Sequence, residues 1–130
     1  MPKESGTVKV KAIPGEVFRF YVESWGSRAE PHVVDLLALN GNGACSCHDF
    51  QSTCWRNIKR RMKLDVDQEI SHEEMERHAQ YFDLRPIWYG TVKDKNPNRT
   101  ICRHNQIARQ HNSNFLTREL SHGQRSKSGV

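Results

Sequence analysis

Residues 32–50 read HVVDLLALNGNGACSCHDF, and this stretch decides how the rest of the chain can fold. It opens with an almost unbroken aliphatic run, 32–40, whose length and flanking turn residues predict a central strand rather than a helix. The glycine-rich sequence NGNG at 40–43 ends that run and predicts a turn. For ACSCHDF, at 44–50, we predict a further strand or an extended edge that carries two closely spaced cysteines.

The preceding segment supplies a partner strand. In VFRFYVESW, at 17–25, apolar and polar side chains alternate with the period of two that is typical of a half-buried strand. Phe18, Phe20 and Val22 are the predicted inward-facing residues. Pairing this segment with 32–40 as an antiparallel hairpin is the simplest arrangement.

After Cys54 the hydrophobic spacing changes from two to three and four. Trp55, Ile58 and Met62 form the apolar stripe of a short predicted helix over 55–64. Four cations fall on its opposite side and predict a basic face: Arg56, Lys59, Arg60 and Lys63.

A second helix is marked by a capping box, in which Ser71 is followed by Glu74. Met75, Ala79 and Phe82 form its apolar stripe, and its other face is acidic. Further along, PIWYGTV at 86–92 predicts a short strand, KDKNPN at 93–98 a turn, and the sequence from 100 onward a helix. A last short helix is predicted over 113–123, followed by a flexible basic tail over 124–130.

Together these elements predict an α+β fold with a small antiparallel β-sheet or hairpin and short helices. The length of 130 residues predicts one domain, over 1–123, with the helical segment 51–98 as an insertion. No apolar stretch is long enough to cross a membrane, and the first residues do not resemble a secretory signal. We therefore expect a reducing compartment, the cytoplasm or, in a eukaryote, the nucleus, where structural disulfides are disfavoured.

The net charge of +5 is concentrated at one end of the sequence. Residues 1–54 carry a net charge of −1, residues 55–98 of +1, and residues 99–130 of +5. A basic pole favours a polyanion or an acidic protein surface as partner. The alternative is a solvated end that keeps the protein soluble.

The cysteines give the strongest chemical signal. Cys45 and Cys47 form a Cys-x-Cys pair, and Cys102 and His104 form a Cys-x-His pair after 54 intervening residues. On a strand, residues i and i+2 share a face, so two thiolates can converge on one ion. Three thiolates and one imidazole make the closed tetrahedral shell of a structural zinc site, and such sites couple about 10 kcal/mol of binding free energy to folding.

Other residues could replace one of these ligands. His48 and Cys54 are the spare candidates, for example in a set of Cys45, Cys47, Cys54 and His104. Cysteine is often simply buried, however, and Cys54 is better interpreted as a core residue. The histidines with no partner identifiable from spacing are His48, His72, His78, His111 and His122, and each is predicted to be a surface or internally satisfied residue.

The order and flanks of the ligands resemble the SWIM zinc finger, whose pattern is Cys-x-Cys, a spacer, then Cys-x-His. The resemblance covers residues 32–50, where a hydrophobic strand leads into Cys-Ser-Cys, and 100–111, where Cys-Arg-His leads into a hydrophobic helix. It implies Cys45, Cys47, Cys102 and His104 as ligands and a module that contacts DNA or other proteins. The 54-residue spacer is far longer than in that family, but loop-closure entropy rises only logarithmically with length.

Binding is the predicted function, since four protein ligands leave no open position for a catalytic water. We expect a small regulator or adaptor that is not an enzyme and that touches DNA phosphates through its cations. The predicted contact residues are Arg56, Lys59, Arg60, Lys63, Arg103, Arg109 and Arg118. Trp88 and Tyr89 either stack on bases or, as is commoner for aromatic residues, pack inside.

The alternative is a protein-interaction module or inhibitor, of the compact kind that phages and mobile elements use. In that hypothesis the acidic helix over 71–82 faces a basic partner surface.

Overall fold

Four short strands form one antiparallel sheet in which each strand pairs with its neighbour in sequence. The computed structural model of the protein describes residues 8–23 and 30–113. Strand β1 is Val10–Ala12, β2 is Arg19–Val22, β3 is His32–Asp35 and β4 is Ala44–Cys45. With the helices described below, this sheet confirms the predicted α+β class.

The pairing of β2 with β3 confirms the predicted hairpin. Phe20 lies opposite Val34, and Val22 lies opposite His32. Phe20, Val22 and Val34 are buried, whereas Tyr21 between them is exposed, as the alternation predicts. Phe18 departs from the prediction because its φ of +59° places it outside the strand, although its side chain still packs partly against the core.

The apolar run 32–40 is only half strand, which corrects the prediction of one continuous element. Strand β3 ends at Asp35, whose Oδ1 accepts a hydrogen bond from the Leu37 N–H at 3.0 Å and starts a turn. Leu39 and Asn40 both have a φ of +54°, which no strand residue adopts. The Leu39 N–H donates to the Glu76 carboxylate at 2.9 Å, and the Leu36 and Leu39 side chains are buried, whereas Leu37 is exposed.

The first helical region begins at residue 48 and contains a π-helical segment, Phe50–Cys54, that runs directly into helix α1, Trp55–Arg61. Ile58 and Met62 of the predicted stripe are buried, and Trp55 is half-buried. Helix α1 ends three residues earlier than the predicted 64, since Lys63 has a φ of +59°.

Helix α2, His72–Ala79, begins where the capping box predicts. The Ser71 Oγ accepts a hydrogen bond from the Glu74 N–H at 3.2 Å. Met75 and Ala79 are fully buried, whereas Phe82 lies beyond the helix end and packs partly against the core.

The predicted strand 86–92 is not formed. Residues 83–89 have no regular structure, and Gly90 makes only an isolated bridge with Lys95. Side chains take the place of a neighbouring strand: the Thr100 Oγ1 accepts from the Ile87 N–H, and the Gln106 Oε1 accepts from the Tyr89 N–H, both at 2.8 Å.

Helix α3 covers 103–113 and begins three residues later than predicted. Thr100 lies outside it, and its N–H donates to the Ile87 carbonyl oxygen. The predicted helix over 113–123, apart from its first residue, and the tail 124–130 lie outside the described residues.

One hydrophobic core joins the sheet to the segment 51–98. Buried residues of β2 and β3 form a single cluster with buried residues of that segment, among them Cys54, Ile58, Met62, Met75 and Leu84. None of the helices in the described ranges has the length and apolarity that crossing a membrane requires.

Candidate metal centre

The two halves of the cysteine pattern meet in the folded chain. The ligand atoms of Cys45, Cys47, Cys102 and His104 all lie within 4.8 Å of one another. The three cysteines are buried and His104 is half-buried. These four residues could hold one metal ion, and they are the four that the spacing and the SWIM resemblance indicate.

The first ligand pair lies on a strand end and the turn after it. Cys45 is the last residue of β4, but Cys47 lies in the bend that follows, so the pair does not share a strand face as predicted. The turn brings the sulfurs together in another way. The Cys47 N–H points at the Cys45 Sγ at 3.4 Å, and the Phe50 N–H points at the Cys47 Sγ at 3.3 Å. Amide donors aimed at sulfur favour thiolate, the form that binds metals.

The second pair lies at the start of α3. Cys102 directly precedes the helix, and its Sγ receives the Asn105 N–H at 3.5 Å. The Cys102 Sγ lies 4.0 Å from the His104 Nδ1. The unpaired amides and the positive dipole end of α3 favour a negative sulfur here, as expected from the sequence.

The three thiols are too crowded to ionise independently. The pKa of Cys47 is held well below its ordinary value, because its sulfur receives hydrogen bonds from Cys102 and then from Cys45. Hydrogen bonding to Cys45 and Cys47, together with burial, raises the pKa of Cys102. The hydrogen bond with Cys102 acts to lower the pKa of Cys45. The hydrogen bond between Cys45 and Cys47 and the burial of Cys45 outweigh that effect and raise the pKa of Cys45 to about 12. Hydrogen bonding within the set therefore favours the charged form of Cys47 and the neutral forms of Cys45 and Cys102, and a bound cation would favour the thiolate form of all three.

His32 is a neighbour of the site that the sequence analysis missed. Its ring centroid lies 4.3 Å from that of His104, and the pKa of His32 is lowered by burial and then by His104. The feature that indicates this position is the pairing register between β3 and β4. Val34 pairs with Cys45, so His32, two residues away on the same face of β3, falls beside the ligands.

A partly buried ion pair joins the segments next to the two ligand pairs. The Arg99 guanidinium contacts the Asp49 carboxylate twice, with Nη2 to Oδ1 at 2.5 Å and Nε to Oδ2 at 3.3 Å. The Arg99 side chain is only 8% exposed, and its pKa is raised, chiefly by this hydrogen bonding. Asp49 follows Cys47 and Arg99 precedes Cys102, so the pair brings the two halves of the centre together.

The glycine-rich turn also packs against α3. Gly43 has a φ of +89°, and a Cβ placed there would come within 2.6 Å of the Asn105 Nδ2. The neighbouring Asn42 is buried and donates from Nδ2 to the Thr100 carbonyl oxygen at 3.0 Å. Only a residue without a side chain allows this close approach just before Cys45.

The alternative ligands lie elsewhere. Cys54 is fully buried in the hydrophobic core, and burial, followed by the charge of Asp49, raises its pKa to about 12. This confirms Cys54 as a core residue. His48 is exposed, and neither residue belongs to the cluster of four.

One of the predicted DNA-contacting cations, Lys59, is buried, which corrects its placement on an exposed face, and a second, Arg109, makes hydrogen bonds within the protein. Lys59 is 5% exposed, and its Nζ donates to the carbonyl oxygens of Val66 and Gln68, so the predicted basic face of α1 lacks it. Arg109 is partly buried and donates to the Asn105 Oδ1 and the Gly41 carbonyl oxygen.

The other predicted cations have different surroundings. Arg56, Arg60 and Lys63 are exposed, and Arg56 lies 3.7 Å from the Asp67 carboxylate. Arg103 is half-buried. Arg118 lies outside the described residues.

A groove of about 470 Å³ opens beside the second ligand pair. The loop before α3 and the start of α3 supply most of its lining, including Cys102 and His104. The lining residues are Asp49, Tyr89, Val92, Lys95, Cys102, Arg103 and His104. Tyr89 is buried, whereas Trp88 next to it is 50% exposed.

Comparison with known protein families, with curated proteins and with solved structures gave no match. The resemblance to the SWIM finger therefore rests on the ligand residues and their flanks, and no family match supports it.

Proposed function

We propose that this chain is a small binding module stabilised by one structural zinc ion. The observation that carries the proposal is the convergence of Cys45, Cys47, Cys102 and His104 within 4.8 Å, although 54 residues separate the two pairs. Three sulfurs and one imidazole nitrogen are the donor set that a structural zinc prefers. With four protein ligands no position is left for a reactive water, so we propose binding rather than catalysis.

Metal analysis of the purified protein tests the zinc site. We expect one zinc per chain in the native protein and loss of that zinc in both Cys45→Ser and His104→Ala. Cys54→Ala is the matched control, since it removes a buried thiol outside the cluster and should keep the zinc. Full zinc occupancy in Cys45→Ser and His104→Ala would contradict the ligand assignment.

For the partner, we propose DNA, contacted by exposed cations. The support is the net charge of +5 together with the exposed Arg56, Arg60 and Lys63 at α1. Contacts of this kind go to phosphates, so affinity should fall steeply with salt and depend little on sequence.

Charge reversal tests this proposal. The triple variant Arg56→Glu, Arg60→Glu and Lys63→Glu should weaken binding of both duplex and single-stranded DNA at low salt. Arg77→Glu, at an exposed position of α2, is the control. Absence of binding to either form of DNA by the native protein at low salt would refute the proposal.

A second candidate is a protein-interaction module, because the groove beside the metal centre is largely apolar and α2 carries exposed acidic residues such as Glu73 and Glu74. Recovery of one stoichiometric protein partner after nuclease treatment would favour this candidate over DNA.

A further inference from the structure

The groove at the metal centre is lined by more positively charged side chains than negatively charged ones. Lys95 is exposed, and its Nζ lies 5.8 Å from the centre of the Tyr89 ring. Arg103 is the second cation of the lining, and the one carboxylate, Asp49, already contacts Arg99. This end of the groove therefore attracts a negative group.

The apolar part of the groove is ready for contact. Val92 is 62% exposed, a large fraction for an aliphatic side chain that lines a concave surface. A volume of about 470 Å³ falls in the range of ligand-binding clefts. An aliphatic or aromatic side chain placed against Val92 would be partly removed from water, which favours association.

The surface continues along α3. Arg103 lines the groove, and Gln106, Ile107 and Gln110 line a second, shallower depression together with Trp88. Residues spaced by three, four and seven share one face of a helix, so the two depressions follow the same face. Along this face, which we call the α3 strip, the cations lie at one end and the exposed Trp88 lies near the other.

From this arrangement we propose that the α3 strip holds an extended peptide of a protein partner, with its acidic residues at Lys95 and Arg103 and its large apolar residues at Val92 and Trp88. The proposal rests on the zinc-stabilised binding module proposed above and assigns its protein partner a site.

The lining suits such a peptide better than a nucleic acid. A single strand presents a phosphate at every nucleotide, whereas the α3 strip beyond Arg103 is lined by Gln106, Ile107 and Gln110, which carry no charge. Tyr89 is only 6% exposed, so its ring cannot stack on a base. A peptide that separates acidic from apolar residues matches both ends.

The metal centre and the α3 strip depend on each other physically. Cys102 and His104 line the groove and also belong to the candidate metal site, so an ion that fixes these two residues also fixes part of the groove lining. Removal of the metal should therefore weaken peptide binding even though no peptide group binds the metal.

Matched synthetic peptides test the proposal. The probe is an array of decapeptides that combine Asp or Glu at one end with Leu, Phe or Trp at the other, each paired with its Asn or Gln counterpart. The native protein, with its zinc content measured, should bind acidic members more tightly than their amide counterparts. In fluorescence anisotropy with the best acidic peptide, Lys95→Glu should weaken binding about tenfold, or roughly 1.4 kcal/mol. Lys93→Glu, an exposed lysine outside the groove, should change it little.

Amide chemical shifts locate the peptide independently of affinity. On titration, residues 88–95 and 102–110 should shift, and the α1 residues tested for DNA should not. Equal binding of acidic and amide peptides would overturn the proposal, as would equal effects of Lys95→Glu and Lys93→Glu. It would also be overturned if no peptide bound and Lys95→Glu weakened DNA binding instead.

The zinc measurement separates this proposal from the one it rests on. A protein with one zinc per chain that prefers no acidic peptide refutes the α3 strip as a peptide site and leaves the zinc site standing. If the native protein folds without zinc and still prefers acidic peptides, that result refutes the zinc site and the dependence of the groove on the metal, and it supports the peptide site.

Discussion

Helix α2 and the metal centre contribute to one hydrophobic core, but contacts of different kinds hold them in place. Helix α2 is anchored by Met75 and Ala79, both fully buried, and by the Ser71 cap. The metal-centre region instead buries polar groups, including Asn42, Thr100 and Asn105, beside the ligands. The packing of Met75 and Ala79 requires no group from outside the chain. The ligand thiols have pKa values that shift in opposite directions, and a cation favours the thiolate form of all three.

From this comparison we expect the largest loss of stability when one of the metal-binding residues is replaced. Cys102→Ser should lose the zinc and with it up to about 10 kcal/mol of binding free energy that is coupled to folding. This approaches the whole stability of a domain of this size, so we expect cooperative folding to be lost. Thermal denaturation with metal analysis measures both effects. An unchanged Tm after zinc is removed by a chelator would show that this region is stable without an ion.

The next largest loss of stability is expected in the hydrophobic core at α2. Met75→Ala should lower the free energy of unfolding by about 2–5 kcal/mol, since it leaves a cavity in the core. Urea denaturation measures the loss, and zinc stoichiometry should stay at one per chain at low denaturant. If Met75→Ala also released the zinc from a folded protein, the two regions would be coupled more tightly than their contacts indicate.

A smaller effect is expected at the ion pair beside the metal centre. Asp49→Asn should cost about 2 kcal/mol, because it removes a charged hydrogen-bond partner from the nearly buried Arg99. It should also lower zinc affinity, since the pair holds the two ligand segments together. Asp67→Asn is the matched control: Asp67 faces Arg56 at 3.7 Å on the surface, where such a pair contributes less than about 1 kcal/mol. Equal losses of stability in the two variants would show that the Asp49–Arg99 pair contributes no more than a surface ion pair.

The smallest effect belongs to the α2 cap. Ser71→Ala should cost about 1 kcal/mol, because the Glu74 N–H loses its acceptor, and Ser71→Asp should keep most of the stability. Chemical denaturation of the three proteins gives the comparison. A loss in Ser71→Asp as large as that in Ser71→Ala would show that the Ser71 Oγ does not act as a cap.

The features that could be predicted from sequence are those set by local spacing or by strong chemistry. The capping box at Ser71, the alternation of Phe20 and Val22, and the ligand pairs at 45–47 and 102–104 all act over a few residues. The four ligands could be grouped across 54 residues because few stable arrangements accept three thiols and a histidine.

The features that could not be predicted depend on tertiary neighbours. Residues 36–40 have the composition of a strand, but the Glu76 carboxylate from α2 accepts a hydrogen bond from the Leu39 N–H and stabilises a turn in which Leu36 and Leu39 are buried. Lys59 lies among exposed cations in sequence, yet it donates to the carbonyl oxygens of a loop that follows the helix. Neither partner can be identified from spacing along the chain.

The π-helical segment Phe50–Cys54 controls the rotational phase of the helix that follows. Phe50, Cys54, Ile58 and Met62 recur every four residues and are all buried. In a regular α-helix residues four apart drift by about 40° per step, so this series would turn away from the core, and the wider π turn offsets part of the drift. Deleting one residue from 50–54 would therefore rotate Ile58 and Met62 by about 100° relative to Cys45 and Cys47, although the metal ligands themselves were unchanged. The number of residues between Cys47 and helix α1 is therefore constrained by the rotation of the helix about its axis, and not by the distance that the chain has to span.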